Sequence, residues 1–202
     1  MAAEWIAGIT LNDKERKSVA ASLTRELKDL TKSRSLEIPY DVAPAIHFHP
    51  APWLPTHSGS RGTVVPPKPD LKKPEADDDL AFLSLAQQAQ LIRSKQISSV
   101  ELTKLALARL KKYDPALLCV VALTEDVALK QAAKADEELA AGKSRGPLHG
   151  IPWGAKDLIS YPGYKTTWGA EHYKDQAFDT KATVARKLED AGAVLSAKLT
   201  MG

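Results

Sequence analysis

An α/β fold is predicted by two strand-length apolar runs, residues 117–123 and 193–197, by the amphipathic helical segments beside each of them, and by the glycine- and proline-rich stretch that separates them. The 202 residues suffice for one sizeable core, or for a core domain with an appended arm, at about 150 residues per domain. Hydrophobic residues at 44% and charged residues at 26% describe a globular chain, with neither the polar bias of disorder nor a membrane span.

The elements follow in order. Residues 10–32 predict a helix, with Asn12 as its cap, Glu15 three residues on, and a single apolar stripe of Val19, Leu23, Leu27 and Leu30. From Pro39 to Pro74 the composition shifts to Pro, His, Ser and Gly, which cannot sustain a helix and favours an extended connection. The organisation read from this is an N-terminal helical extension at 1–38, a proline-rich linker or wrapping arm at 39–76, and an α/β domain at 77–202.

Within that domain Ser84 with Gln87 and Ser98 with Glu101 are candidate capping boxes, each opening an amphipathic helix. The run 117–123 has a β-branched centre and is apolar throughout, which predicts a strand covered on both faces. Thr124 is expected to cap the next helix, which carries Ala128, Ala132, Ala135 and Leu139 along one side and stops at Gly142. A helix through Val184 and Leu188 ends at Gly192, and residues 193–197 read as a second buried strand.

The net charge of +3, from 28 basic and 25 acidic side chains in mixed order, gives no basic stripe for nucleic acid. Cys119, the single cysteine, cannot form an internal disulfide and reads as a small buried hydrophobe, not a reactive thiol. The amino terminus has no basic segment followed by an apolar one, so a cytoplasmic location is expected.

The densest chemical candidate runs from Gly146 to Ser160, where glycines and prolines bracket a short apolar strand that delivers Lys156 and Asp157. A lysine surrounded there by apolar and amide groups would lose charge stabilisation and become a usable base; the plainer alternative is a solvated Lys-Asp pair at a strand end. The stretch GPLHGIPWGAKDL, followed in order by Thr166-Thr167-Trp168-Gly169, ATVARKL at 182–188, AGAVL at 191–195 and Lys198-Leu199-Thr200-Met201, resembles the amidase-signature family. The resemblance covers about residues 80–202.

It implies the N-terminal portion of a single α/β domain in which a large mixed sheet is covered by helices. It also implies an amidase acting on a small-molecule amide with no metal or organic cofactor. Lys156 would be the general base, working through a serine in a cis peptide and a second, nucleophilic serine. Both serines are expected beyond residue 202, which makes this chain by itself an inactive N-terminal part. The amidase subunit of a tRNA-dependent amidotransferase is an alternative, and only there is nucleic acid expected; a non-catalytic interaction module is another. No membrane association is expected, and homo-oligomerisation is left open. Gly59-Ser60-Arg61-Gly62 imitates the family's serine turn but precedes the lysine motif, the wrong order, and reads as linker; Ser160 and Ser196 lack flanking glycine-rich turns. His149 is expected to make a structural hydrogen bond, Asp157 to anchor its loop, Lys198 to be a surface or salt-bridged lysine, and His47 and His49 to belong to a solvated arm without a third metal ligand.

Overall fold

The computed structural model describes residues 2–39, 42, 44–46 and 71–201. Most of the proline-rich arm, including His47, His49 and Ser60, lies outside the described residues. Two compact units are present, Met1–Arg61 and Gly62–Gly202.

In the first unit, helix α1 (Ala2–Ala7) precedes α2 (Asp13–Arg34). The expected cap is formed: Asn12 Oδ1 accepts from Glu15 N at 3.0 Å and Glu15 Oε2 accepts from Asn12 N at 2.9 Å. Arg16 joins the helices by donating to Glu4 Oε1 at 2.7 Å and to the Leu11 carbonyl at 2.9 Å. The apolar stripe of α2 is formed but not buried, since Val19, Leu23, Leu27 and Leu30 are all exposed.

The second unit holds α3 (Asp77–Ala81), α4 (Leu85–Arg93), α5 (Ser99–Leu117), β1 (Val120–Leu123), α6 (Glu125–Ala140), β2 (Pro152–Lys156), α7 (Thr183–Asp190) and β3 (Val194–Leu199). Both further capping boxes are present, Ser84 with Gln87 and Ser98 with Glu101. The strands form one mixed sheet in the order β1-β3-β2, with β1 antiparallel and β2 parallel to the central β3. Val194 packs with Leu107 of α5 and with Ala128 and Ala132 of α6, whereas Leu195 packs with Ala155, Tyr161 and Ala185 of α7. A third cluster, Leu80, Ala89, Leu91, Ile92, Ile97, Leu102 and Ile151, joins α3, α4 and the start of α5 to the turn before β2.

Three sequence expectations are corrected. Helix α5 runs through Pro115 to Leu117, so the apolar run contributes only four residues to β1, and Leu117 and Leu118 are exposed. The cause is Asp114, whose Oδ1 accepts from both Cys119 N and Val120 N at 2.8 Å while Leu118 adopts a left-handed conformation at φ 50°. The strand starts only after that turn, and as an edge strand it is covered less than a central one; Cys119 is accordingly half-buried, at an apolar groove between α5 and the sheet. Thr124 precedes α6 but does not cap it through its side chain: its hydroxyl donates to Leu195 O at 2.7 Å, tying the start of α6 to β3. Among the described residues no helix is long and apolar enough to cross a membrane.

Candidate active site

The turn before β2 is built by contacts that its residue types demand. Gly150 has φ +77°, and a Cβ there would fall 2.9 Å from Ser99 Cβ, so both the backbone angle and the space require glycine. Ser99 Oγ donates to the Gly150 carbonyl at 2.8 Å. His149 is buried, its Nε2 donating to Ala135 O at 2.8 Å and its Nδ1 accepting from Arg145 N at 3.3 Å. These are the structural bonds expected of it. Arg145 pairs with Glu138 of α6 and donates to Glu189 O of α7 at 3.1 Å. The hydrogen bond from Arg145 holds the Glu138 carboxyl below its usual 4.5.

From that turn β2 runs beside β3 and delivers Lys156 at its end, opposite Leu199. Burial alternates along the strand and beyond it: Gly154 and Lys156 are exposed, Ala155 and Asp157 are buried. Gly154 faces Leu199, and a Cβ on it would come within 2.5 Å of Leu199 Cδ1. The apolar cover expected around Lys156 is therefore not supplied by residues 71–201: α5 lies across from Gly154 and Leu199 on this face but does not reach Lys156. Among the described residues Lys156 Nζ has neither an ion pair nor a hydrogen bond.

Asp157 turns the other way, into the protein. Its Oδ2 accepts from Thr167 N at 3.0 Å and from Thr167 Oγ1 at 2.5 Å, and its Oδ1 lies 3.1 Å from Lys198 Nζ. The anchoring role expected of Asp157 is met. Lys198 is the side chain whose setting the sequence concealed, because the surface alternative fails: it is fully buried, and Nζ also donates to Ile159 O at 2.8 Å, Lys165 O at 3.2 Å and Thr166 Oγ1 at 3.0 Å. The available signal was the apolar run 193–197 that Lys198 directly continues, and in the structure all five residues from Val194 to Lys198 are buried.

The loop after Lys156 folds back over the same end of the sheet. Trp168 donates its N–H to Asp157 O at 3.3 Å and stands at φ 55°, a conformation uncommon for a bulky residue and a mark of constraint. Gly169 follows at φ +70°, where a Cβ would meet Met201 Cβ at 2.8 Å. Lys156, Asp157, Trp168 and Met201 thus gather at the carboxyl ends of two parallel strands, where open α/β sheets place their crevices. Ser160 is half-buried in the loop and Ser196 is buried within β3, the loop and strand positions expected of them.

This arrangement defines an α/β domain that presents an unpaired lysine at a strand-end crevice over a buried ion pair. The chain belongs to the amidase family, whose sequence profile matches residues 101–202. Among its relatives, the AmiD protein of Mycobacterium tuberculosis is 36% identical over 139 residues, which are 69% of this chain and 28% of that protein. A glutamyl-tRNA(Gln) amidotransferase component from a Marinomonas species is 42% identical over 118 residues, 58% of this chain and 24% of that component. The crystal structure of the native peptide amidase from Stenotrophomonas maltophilia superposes with a TM-score of 0.55 at 36% identity, covering 59% of this chain and 25% of the amidase. The chain therefore spans about a quarter of the length of these relatives.

Proposed function

We propose that the chain forms the lysine-bearing front of a carboxylic amide hydrolase in which Lys156 is the general base. The observation that carries this reading is the place of Lys156 at the carboxyl end of β2, with no ion pair to its amine among the described residues, inside the segment that matches the amidase family; in this reading the cover that strips water from the amine comes from the rest of the family domain. In the reaction, the lone pair of Lys156 accepts a proton relayed through a bridging serine from a second serine, whose oxygen attacks the amide carbonyl. The proton then passes to the departing amine, and water hydrolyses the acyl-enzyme by the reverse relay. Backbone N–H groups of a glycine-rich turn hold the oxyanion. In this reading both serines and that turn belong to the part of the family domain outside residues 1–202, so these residues alone are inactive.

The same proposal takes a small amide as the substrate, needs no metal or organic cofactor, and is cytoplasmic. It keeps the division into a helical extension at 1–38, an arm at 39–76 and an amidase domain at 77–202. A second reading, the amidase subunit of a tRNA-dependent amidotransferase, is supported by the relatives of that name at up to 42% identity. One assay separates the two: ammonia release from simple amides, by the protein carrying these residues within a whole family domain. Turnover without partners supports the stand-alone amidase. Turnover that appears only with charged tRNA and a partner protein supports the amidotransferase.

A further inference from the structure

Lys156 and Asp157 are adjacent and of opposite charge, yet they do not pair: the lysine is exposed, and the carboxylate is wholly buried on the opposite face of the sheet. Left free at a strand end, the two would attract one another, and an ammonium held by a neighbouring carboxylate is a poor base. Strand alternation sends the two side chains to opposite faces, and Lys198 together with Thr167 holds the carboxylate on its own face. The Lys198 ammonium lies 3.1 Å from Asp157 Oδ1 and gathers the loop beyond it through Ile159 O, Lys165 O and Thr166 Oγ1, while Thr167 takes Asp157 Oδ2 through both its N–H and its hydroxyl. Both carboxylate oxygens are thus occupied on the side away from Lys156. A buried charge pair is commonly no more stabilising than apolar side chains of the same size, so its presence beside the lysine points to a requirement other than stability.

We propose that Lys198 is a positioning residue for Lys156, acting through Asp157: by holding the carboxylate on the α7 face of the sheet it leaves the amine of Lys156 without an anionic partner and fixes the backbone from which that amine projects. The inference rests on the reading of Lys156 as the base, but its test reads the amine itself and needs no hydrolysis, so the two fail separately.

The test is competitive acylation of the 202-residue chain by an amine-reactive acetyl ester, with Lys156 labelling measured by peptide mass spectrometry relative to the exposed Lys143. In Lys198→Met the buried carboxylate loses its counter-charge, which drives it out of the fold toward Lys156, and labelling there slows roughly threefold, the scale of an exposed ion pair. Adding Asp157→Asn to that variant removes the carboxylate and restores the rate. Unchanged labelling in a folded Lys198→Met chain overturns the proposal, and so does equal slowing in the double variant, which is what a purely structural role gives. Should Lys198→Met fail to fold, side-chain 15N NMR of the unmodified chain decides. A slowly exchanging ammonium signal from Lys198 and none from Lys156 supports the proposal, and a slowly exchanging Lys156 signal overturns it.

Discussion

Lys198 Nζ lies 3.1 Å from Asp157 Oδ1, with both side chains fully shielded from solvent. The contact is one of charge with charge and not an aligned hydrogen bond, since Oδ1 has no hydrogen-bond partner while Oδ2 has two from Thr167. Removing one member leaves an uncompensated buried charge. Lys198→Met or Asp157→Leu should each lower unfolding free energy by about 3–5 kcal/mol, with the double variant Lys198→Met/Asp157→Leu losing less than the sum of the two single changes. Urea unfolding of the four chains measures this; strictly additive losses would show that the pair is not coupled.

His149 makes its two hydrogen bonds deep in the turn before β2, to Ala135 O and from Arg145 N. His149→Ala should cost about 1–3 kcal/mol through the groups left unsatisfied. It should leave the acylation rate of Lys156 at its wild-type value, because the ring touches the scaffold and not the crevice. A change in that rate with the fold intact would give His149 a part in the site.

Gly150 combines φ +77° with a 2.9 Å approach to Ser99 Cβ. Gly150→Ala should destabilise the chain by more than about 1 kcal/mol, the reverse of the gain alanine gives at a permissive glycine. Ser99→Gly in the same chain should recover part of the loss, since it removes the crowding but not the backbone strain. Thermal unfolding of the two variants reads both contributions, and a neutral Gly150→Ala would contradict the geometry.

The Glu138–Arg145 pair links acid stability to the turn that carries His149. Because Arg145 lowers the Glu138 carboxyl below its usual 4.5, the stability it contributes is present above that value and is lost as pH falls through the depressed one. Wild type should therefore melt above Glu138→Gln at neutral pH, and the gap should close as the pH is taken below 4.5. A gap that persists unchanged in acid would mean that packing, not charge, sustains it.

The local part of the fold was legible because its signals are local. Asn12 with Glu15, Ser84 with Gln87, and Ser98 with Glu101 are three residues apart and satisfy each other within one helical turn, so a capping box can be read without knowing the fold. The alanine face of α6 and the strand carrying Lys156 were legible for the same reason. What the sequence concealed depends on partners far along the chain. Thr124 looks like a cap until Leu195 O is brought within reach of its hydroxyl, and Lys198 reads equally as a surface or a salt-bridged lysine until the loop 157–167 folds over it. The short β1 was concealed by a side chain: Asp114 takes the N–H groups of Cys119 and Val120, which an apolar count assigns to the strand. The position of Lys156 was legible from its motif, whereas its exposure was not, because solvent access is set by the layers around a strand and not by the strand itself.

The most direct test of the central claim is hydrolysis of simple amides by a protein that carries these residues in a whole amidase-family domain, compared with its Lys156→Ala variant. Loss of general-base assistance predicts a fall in kcat of about 10²–10⁴-fold with circular dichroism and melting unchanged. Retained turnover in a folded Lys156→Ala protein would contradict the account and remove Lys156 from the reaction.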